Sequence, residues 1–178
     1  MESIMERKYI EKIKDEQREL LKNLTGKKLN SLTAPQIIFD PLSQEKTYIF
    51  PWLSLHLEAE NDKQYLNISV ERLETESYCD YHRFHIFLAD KPACSSRSTF
   101  YEFSYNENFP SVLMDIHEDI TDVEIFCRSI ETEETKEQIE AECDIIITLN
   151  NGSQLHLYPH FCGEIVTTGM ISASITQK

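Results

Sequence analysis

Four histidines form two close pairs and are the first residues whose types suggest chemistry: His82 with His85, and His156 with His160. The first pair follows Cys79 and Asp80, so imidazole, thiolate and carboxylate groups, all possible zinc ligands, occur close together. On a strand, however, positions 82 and 85 point to opposite faces. The second pair would lie ~13 Å apart at ~3.3 Å per residue. A metal-dependent or small-ligand-binding β-protein using these four histidines is therefore the alternative hypothesis.

Other catalytic signatures are missing from the sequence. There is no G-x-S-x-G nucleophile elbow, and no cysteine lies in a protease-type context. The four glycines are too far apart for a phosphate-binding loop. We therefore expect a protein that is not an enzyme and that needs no cofactor or bound metal.

The charge of the chain is its most distinctive property. Its 31 acidic and 17 basic residues give a net charge of −14. Residues 115–144 carry twelve acidic residues against two basic ones, whereas residues 1–28 carry eight basic and six acidic ones. A field of this sign repels nucleic acids and anionic lipids and attracts basic proteins.

The acidic block at 115–144 has three interpretations. It could be a solvated loop or short helix kept soluble by its charge, or an acidic face that steers a basic protein partner. A Ca²⁺ site is a third option, but the EF-hand order with Gly at its sixth position is absent. We favour the partner-binding interpretation, with these contact residues: Asp119, Asp122, Glu131, Glu133, Glu134 and Glu137.

The compartment follows from the cysteines and from the N-terminus. The five cysteines are odd in number, dispersed and without a CxxC pair, which is typical of reduced thiols. The N-terminus is charged and lacks the apolar run of a signal peptide. No stretch approaches the ~18 apolar residues of a membrane span. We expect a cytoplasmic protein with no membrane or nucleic-acid partner.

The elements that position these residues begin with a helix. Residues 2–24 place Ile10, Ile13, Leu21 and Leu24 at helical steps on one face, which predicts an amphipathic helix ending at Gly26. A second, short helix is predicted at residues 111–119. We expect the helix at 2–24 to pack on a sheet.

Residues 29–175 have the pattern of short strands, rich in β-branched and aromatic residues and separated by turn residues. The predicted strands are 36–39, 47–57, 65–70, 84–88, 100–105, 123–130, 143–149, 154–158 and 164–175. The fold class is therefore α+β and mainly antiparallel β, either a sandwich or a partly open barrel. Residues 1–178 form a single domain.

A hairpin around Asn150-Asn151-Gly152 is the clearest local prediction. A three-residue loop pairs Ile147 with Leu155 and Ile145 with Leu157, which places all the aliphatic residues on one face. His156 then lies on the opposite face of this hairpin.

Several segments give the chain a resemblance to small bacterial toxin-immunity proteins and related uncharacterised domains. They are Leu24-Thr25-Gly26-Lys27-Lys28-Leu29, Ile37-Ile38-Phe39, Ile120-Thr121-Asp122-Val123-Glu124-Ile125 and Leu149-Asn150-Asn151-Gly152-Ser153-Gln154-Leu155. The resemblance implies a stoichiometric inhibitor whose acidic surface covers the site of a basic toxin. The acidic insertion at 131–142 and the histidine pairs depart from that pattern. A deep apolar pocket would instead indicate a ligand-binding β-barrel.

Overall fold

The computed structural model describes residues 7–34, 38–39, 47–50, 52–58, 63–92, 97–98, 101–102, 112–132, 136–159 and 171–176. They contain one short helix, α1 (Asp15–Lys22), and the following strands in chain order. The strands are β1 (Arg7–Glu11), β2 (Lys28–Ala34), β3 (Ile38–Phe39), β4 (Thr47–Phe50), β5 (Trp52–Glu58), β6 (Lys63–Glu74), β7 (Asp80–Ala89), β8 (Arg97–Ser98), β9 (Tyr101–Glu102), β10 (Val112–Thr132), β11 (Glu137–Leu149), β12 (Gln154–Pro159) and β13 (Ile171–Thr176).

The strands form one large open sheet and a small separate pair, β8 with β9. Across the large sheet the order is β3-β4-β13-β12-β11-β10-β2-β5-β6-β7, and neighbours along this order are antiparallel. β1 pairs in parallel with the first half of β11, beside the stretch that pairs with β12. The described residues are thus mainly antiparallel β, as predicted, with one short helix, and the sheet that they form does not close into a barrel.

Strand β10 joins the two halves of the sheet because it changes partner along its length. Its first part, up to Asp119, pairs with β2, and its second part, from Ile120 to Thr132, pairs with β11. The register shifts between Asp115 and Glu118, and His117 there has a φ of 58°. The irregular residue bends a strand that is long for a globular protein.

Both halves of the sheet contribute to a single hydrophobic core. Leu53, Leu55 and Leu57 of β5 are fully buried, as are Ile145 and Ile147 of β11. Alternate residues of each strand point inward, so the period-two pattern of the sequence becomes one continuous apolar layer. Ile120 of β10 belongs to this core together with the residues of β11, so both strands are packed on it.

The prediction of a helix over residues 2–24 is wrong for residues 7–14, and of the described residues in this range only Asp15–Lys22 is helical. Arg7–Glu11 is a strand, the helix begins only at Asp15, and residues 2–6 lie outside the described part of the chain. Ile10, predicted on the buried face of the helix, is 54% exposed, whereas Ile13, Leu21 and Leu24 are buried. Pairing of residues 7–11 with β11 satisfies the backbone there, so tertiary hydrogen bonds override the helical spacing.

The short helix predicted at 111–119 is also wrong, because residues 112–119 belong to β10. A strand at 28–34 was not predicted, and its pairing with this segment determines the outcome. The predicted strand at 47–57 is divided into β4 and β5, which pair in different halves of the sheet.

The other predicted strands lie within observed ones wherever they are described: 65–70 in β6, 84–88 in β7, 123–130 in β10, 143–149 in β11 and 154–158 in β12. Parts of 36–39, 100–105 and 164–175 fall in β3, β9 and β13, and their remaining residues lie outside the described ranges.

The hairpin prediction is confirmed in its register. Ile147 pairs with Leu155, Ile145 pairs with Leu157, and His156 lies opposite Ile146. Gly152 has a φ of 82°, the left-handed conformation required at the end of the three-residue loop. The turn is therefore determined by local chemistry that the sequence shows directly.

Candidate functional site: the acidic strand β10

The described acids of the block at 115–144 lie on strands β10 and β11 rather than in a loop or helix, and they have two different environments. Two acids of β11, Glu140 and Glu142, are neutralised by the N-terminal segment. Glu140 accepts a hydrogen bond of 2.7 Å from Lys8. Glu142 pairs with Arg18 and also accepts the backbone N–H of Ile13 at 2.9 Å. These acids bind the helix and its flanking strand to the sheet.

Asp144 is the centre of a polar cluster on β10, β11 and β12. It is 8% exposed and accepts two hydrogen bonds from Arg128, at 2.5 and 2.7 Å. Its Oδ1 also lies 3.3 Å from Nε2 of His156, and the Arg128 guanidinium lies 5.7 Å from the ring centre of Tyr158. Burial raises the pKa of Asp144, but the hydrogen bonds with His156 and Arg128 outweigh it and leave the pKa below its ordinary value.

Glu137 is a correction to the predicted partner surface. It is 1% exposed, and Thr75 donates a hydrogen bond of 2.8 Å to its carboxylate. The Tyr9 hydroxyl donates to the same carboxylate at 3.4 Å. Burial raises the pKa of Glu137, while hydrogen bonds from Thr75, Ser77, Cys79 and Tyr9 lower it further than burial raises it. Glu137 joins the start of β11 to the turn after β6 and does not face solvent.

The acids of β10 have the opposite environment. Most of them are exposed and Glu118 is half-buried: Asp115, Glu118, Asp119, Asp122, Glu124 and Glu131. Among the described residues, Asp119, Asp122, Glu124 and Glu131 form no ion pair, and Asp115 has only His117, at 3.9 Å. We call these six residues the acidic surface of β10. None of the six forms an ion pair with Lys or Arg within the described residues, and Glu118 accepts a hydrogen bond of 3.1 Å from Asn151.

Apolar side chains are exposed along the same strand. Phe126 is 44% exposed and Ile130 is 40% exposed, although a strand packed inside a sheet normally buries one of its faces. A register shift lies between Phe126 and Cys127, where β11 has one residue more than β10. The acidic surface of β10 thus lies on the same strand as two exposed apolar side chains.

The predicted contact residues are therefore divided by the structure. Asp119, Asp122 and Glu131 are exposed on β10, as the partner hypothesis requires. Glu133 and Glu134 lie outside the described residues, and Glu137 is buried. The prediction omitted Glu124, which shares the strand parity of Asp122. That two-residue spacing was the signal in the sequence that could have identified it.

The histidines of the alternative hypothesis lie in different environments. His82 is buried, and burial lowers its pKa to about 4. His85 is half-exposed, with its Nε2 at 2.9 Å from Glu71. His156 belongs to the Asp144 cluster, and His160 lies outside the described residues. Within the described ranges, no group of three or more His, Cys, Asp or Glu side chains has the arrangement of a metal site.

A small cavity lies between β7 and the β10–β11 hairpin. It is lined by Tyr81, His82, Arg128, Ile130, Ile139, Ala141 and Cys143 and has a volume of about 10 Å³. A single water molecule needs about that much room, whereas small-molecule sites have volumes of roughly 300–1,000 Å³. This cavity does not have the size of a ligand site.

No helix in the described part of the chain combines the length and apolar character needed to cross a bilayer. Comparison of the sequence with models of protein families and with curated proteins gives no match, and comparison of the structure with solved structures gives none either. The geometry of β10 therefore has to carry the functional conclusion by itself.

Proposed function

We propose that the chain is a non-enzymatic binding module that presents the acidic surface of β10 to a basic protein partner. One observation carries the proposal: the acids of β11 form ion pairs and hydrogen bonds within the fold, whereas most of those of β10 are exposed and form no ion pair with the described residues. An acid that stabilises the fold must have a partner in the chain. Exposed acids of one sign instead produce a field that accelerates encounter with a cationic surface.

The finer form of the proposal follows the resemblance to toxin-immunity proteins. The partner is then a basic toxin, and the chain acts in the cytoplasm by covering the toxin's functional surface. Ile120 of β10 lies in the core and Val123 and Ile125 pack against it, which supports such a role, because a preorganised surface loses little entropy on binding. Phe126 and Ile130 would supply the apolar contacts that determine the lifetime of the complex.

The first experiment compares two triple variants with the wild type. In the β10 variant, Asp122, Glu124 and Glu131 are all replaced by Lys. In the control variant, Glu19, Glu58 and Asp90, which are exposed acids outside β10, are replaced by Lys. Of these, Glu19 and Glu58 form only exposed ion pairs, with Lys22 and Lys28. Both variants change the net charge equally, so a difference between them reports position rather than total charge.

Each protein is used as bait in extracts of the source organism, and a protein that the wild type and the control retain but the β10 variant loses is then purified. We expect the β10 variant to associate with it at least about tenfold more slowly at ~0.1 M salt. Near 1 M salt the screening length falls from ~10 Å to ~3 Å, so the rates should converge. Equal association rates for the two variants at low salt would exclude β10 as the binding surface.

The toxin form has its own test. Expression of the purified partner's gene alone should stop growth, and co-expression with wild-type protein or with the control variant should restore it. Growth inhibition that the β10 variant relieves as well as the wild type does would contradict the assignment of this surface. If the partner alone does not inhibit growth, the proposed binding function still stands, but the immunity role is excluded.

A further inference from the structure

The edge of β10 that faces away from β11 has a distinctive geometry. β2 and β11 lie on opposite edges of β10, because Ile120 exchanges backbone hydrogen bonds of 2.8 Å with Lys27 and Gly26 whereas the Asp119 carbonyl accepts from Asn150 at 2.9 Å. At Gly26, whose φ is 85°, the chain turns away from this edge towards α1. Beyond Ile120, β10 pairs with β11 and with no other strand that the structure describes.

The direction of the backbone groups on this edge of β10 follows from the hairpin of β11 and β12. The N–H of Leu149 donates to the carbonyl of Ser153, so the backbone N–H and C=O of Leu149 point towards β12. The backbone groups of Thr148 and Ile146 therefore point to the other edge, towards β10. Asp122 is paired with Thr148, and Glu124 is paired with Ile146. These residues therefore form the hydrogen-bonded pairs with β11.

The residues between them, Val123 and Ile125, consequently direct their N–H and C=O groups to the opposite edge. A contact supports this assignment: the N–H of Val123 donates to the carboxylate of Asp122 at 2.9 Å instead of to a strand. A side-chain acceptor that occupies an edge donor is easily exchanged for a backbone carbonyl.

We infer that residues 122–126 of β10 accept an extended segment of a basic protein as an added β-strand on this edge. The inference rests on the proposed acidic binding function and specifies its mode. Backbone pairing through Val123 and Ile125 supplies the register, as in other cases of strand addition. Asp122 and Glu124, at alternate positions, then lie beside the side chains of the incoming strand and select Lys or Arg there.

The sign of the charge identifies the occupant. A second copy of this chain would place Asp122 and Glu124 opposite acids of its own β10, and like charges directly opposite each other are destabilising. Charged edges also protect proteins against uncontrolled pairing. Asp122 and Glu124 both carry negative charge. They therefore repel the same edge of another copy and leave the edge open to a cationic strand.

The test uses a synthetic peptide in which Lys and Val alternate, and the same peptide N-methylated at every residue. Both have the same charge, but the methylated one has no backbone N–H to donate along either edge. We expect the methylated peptide to bind the wild-type protein at least about tenfold more weakly than the unmethylated one, because it cannot form several of the backbone hydrogen bonds. The amide protons of Val123 and Ile125 should gain protection from exchange with the first peptide only.

Two variants provide a matched comparison on the protein side. Val123→Pro removes the edge N–H, which is tolerable on an edge strand, and Val123→Ala removes a similar part of the side chain while keeping that N–H. We expect the proline variant to bind the unmethylated peptide about tenfold more weakly than the alanine variant. The exchange measurement on wild-type protein decides the question if the proline variant fails to fold.

Equal binding of the two peptides, with no added protection at Val123 and Ile125, would overturn strand addition while leaving a purely electrostatic surface. Absence of binding by either peptide would also overturn it, and the separate capture experiment would then decide the proposed function. Loss of the β10 effect in the capture experiment would overturn both.

Discussion

The division between structural and exposed acids predicts that Asp144→Asn and Glu124→Gln, two neutralisations on adjacent strands, differ in their effect on stability. Asp144 is 8% exposed and accepts two hydrogen bonds from Arg128. Glu124 is exposed and forms no ion pair within the described residues. Both substitutions remove one negative charge and keep the size of the side chain, so the comparison isolates the partners of Asp144.

The magnitude follows from the exposure of the pair. Breaking a fully buried ion pair costs about 3–5 kcal/mol, and an exposed pair contributes about 0–1 kcal/mol. The Arg128 side chain is 38% exposed, so it regains part of its hydration when Asp144 is neutral. We therefore expect Asp144→Asn to lower the free energy of unfolding by about 2 kcal/mol at pH 7. For a chain of this size that corresponds to a Tm lower by roughly 4–8 °C.

Urea denaturation followed by circular dichroism measures the effect, with scanning calorimetry as a second method. Glu124→Gln should change the free energy of unfolding by no more than ~0.5 kcal/mol. The pKa of folded Asp144 lies below the ordinary 3.8, so its contribution is present above pH 3.8 and is lost as the pH falls through the folded pKa. The difference between wild type and Asp144→Asn should therefore shrink in acid. Equal stability of the two variants at pH 7 would refute the division of the acids.

Two further predictions concern the buried side of the molecule. Burial lowers the pKa of His82 from the ordinary 6.5 to about 4. As the pH falls, the unfolded chain therefore binds a proton at His82 before the folded chain does. We expect this to lower the free energy of unfolding by up to ~3 kcal/mol between about pH 6.5 and pH 4. An NMR titration showing that His82 protonates near pH 6.5 would contradict this. Cys127 is exposed, whereas Cys143 is buried and burial raises its pKa to about 11. A thiol reagent at pH 8 should therefore label Cys127 quickly and Cys143 only on unfolding, as measured by peptide mapping with mass spectrometry. Equal labelling of the two cysteines would contradict the burial of Cys143 in β11.

Features that depend on neighbouring residues could be predicted from the sequence. The hairpin register around Asn150-Asn151-Gly152 is confirmed because a left-handed glycine and alternating aliphatic residues leave one arrangement that buries Ile145 and Ile147. The mainly antiparallel β character is confirmed for the same reason, since alternation within each strand is a local property. The single-domain organisation of the chain remains a prediction.

Features that depend on distant pairing could not be predicted. Residues 7–11 have helical spacing, but they pair with β11, each with a residue 130 positions further along the chain. Backbone pairing there outweighs a helix propensity that is weak per residue. Residues 112–119 become a strand because β2 lies beside them. Neither partner can be read from the local pattern.

The charge block shows the same contrast at the candidate site. Composition alone located the acids at 115–144, but it treated Glu137 and Asp122 as equivalent. The fold separates them, because β11 lies between β10 and the basic N-terminal segment and is the strand whose acids meet Lys8, Arg18 and the turn after β6. The sequence by itself determined how much negative charge the hairpin carries, and only the tertiary structure decided which of it remains available to another molecule.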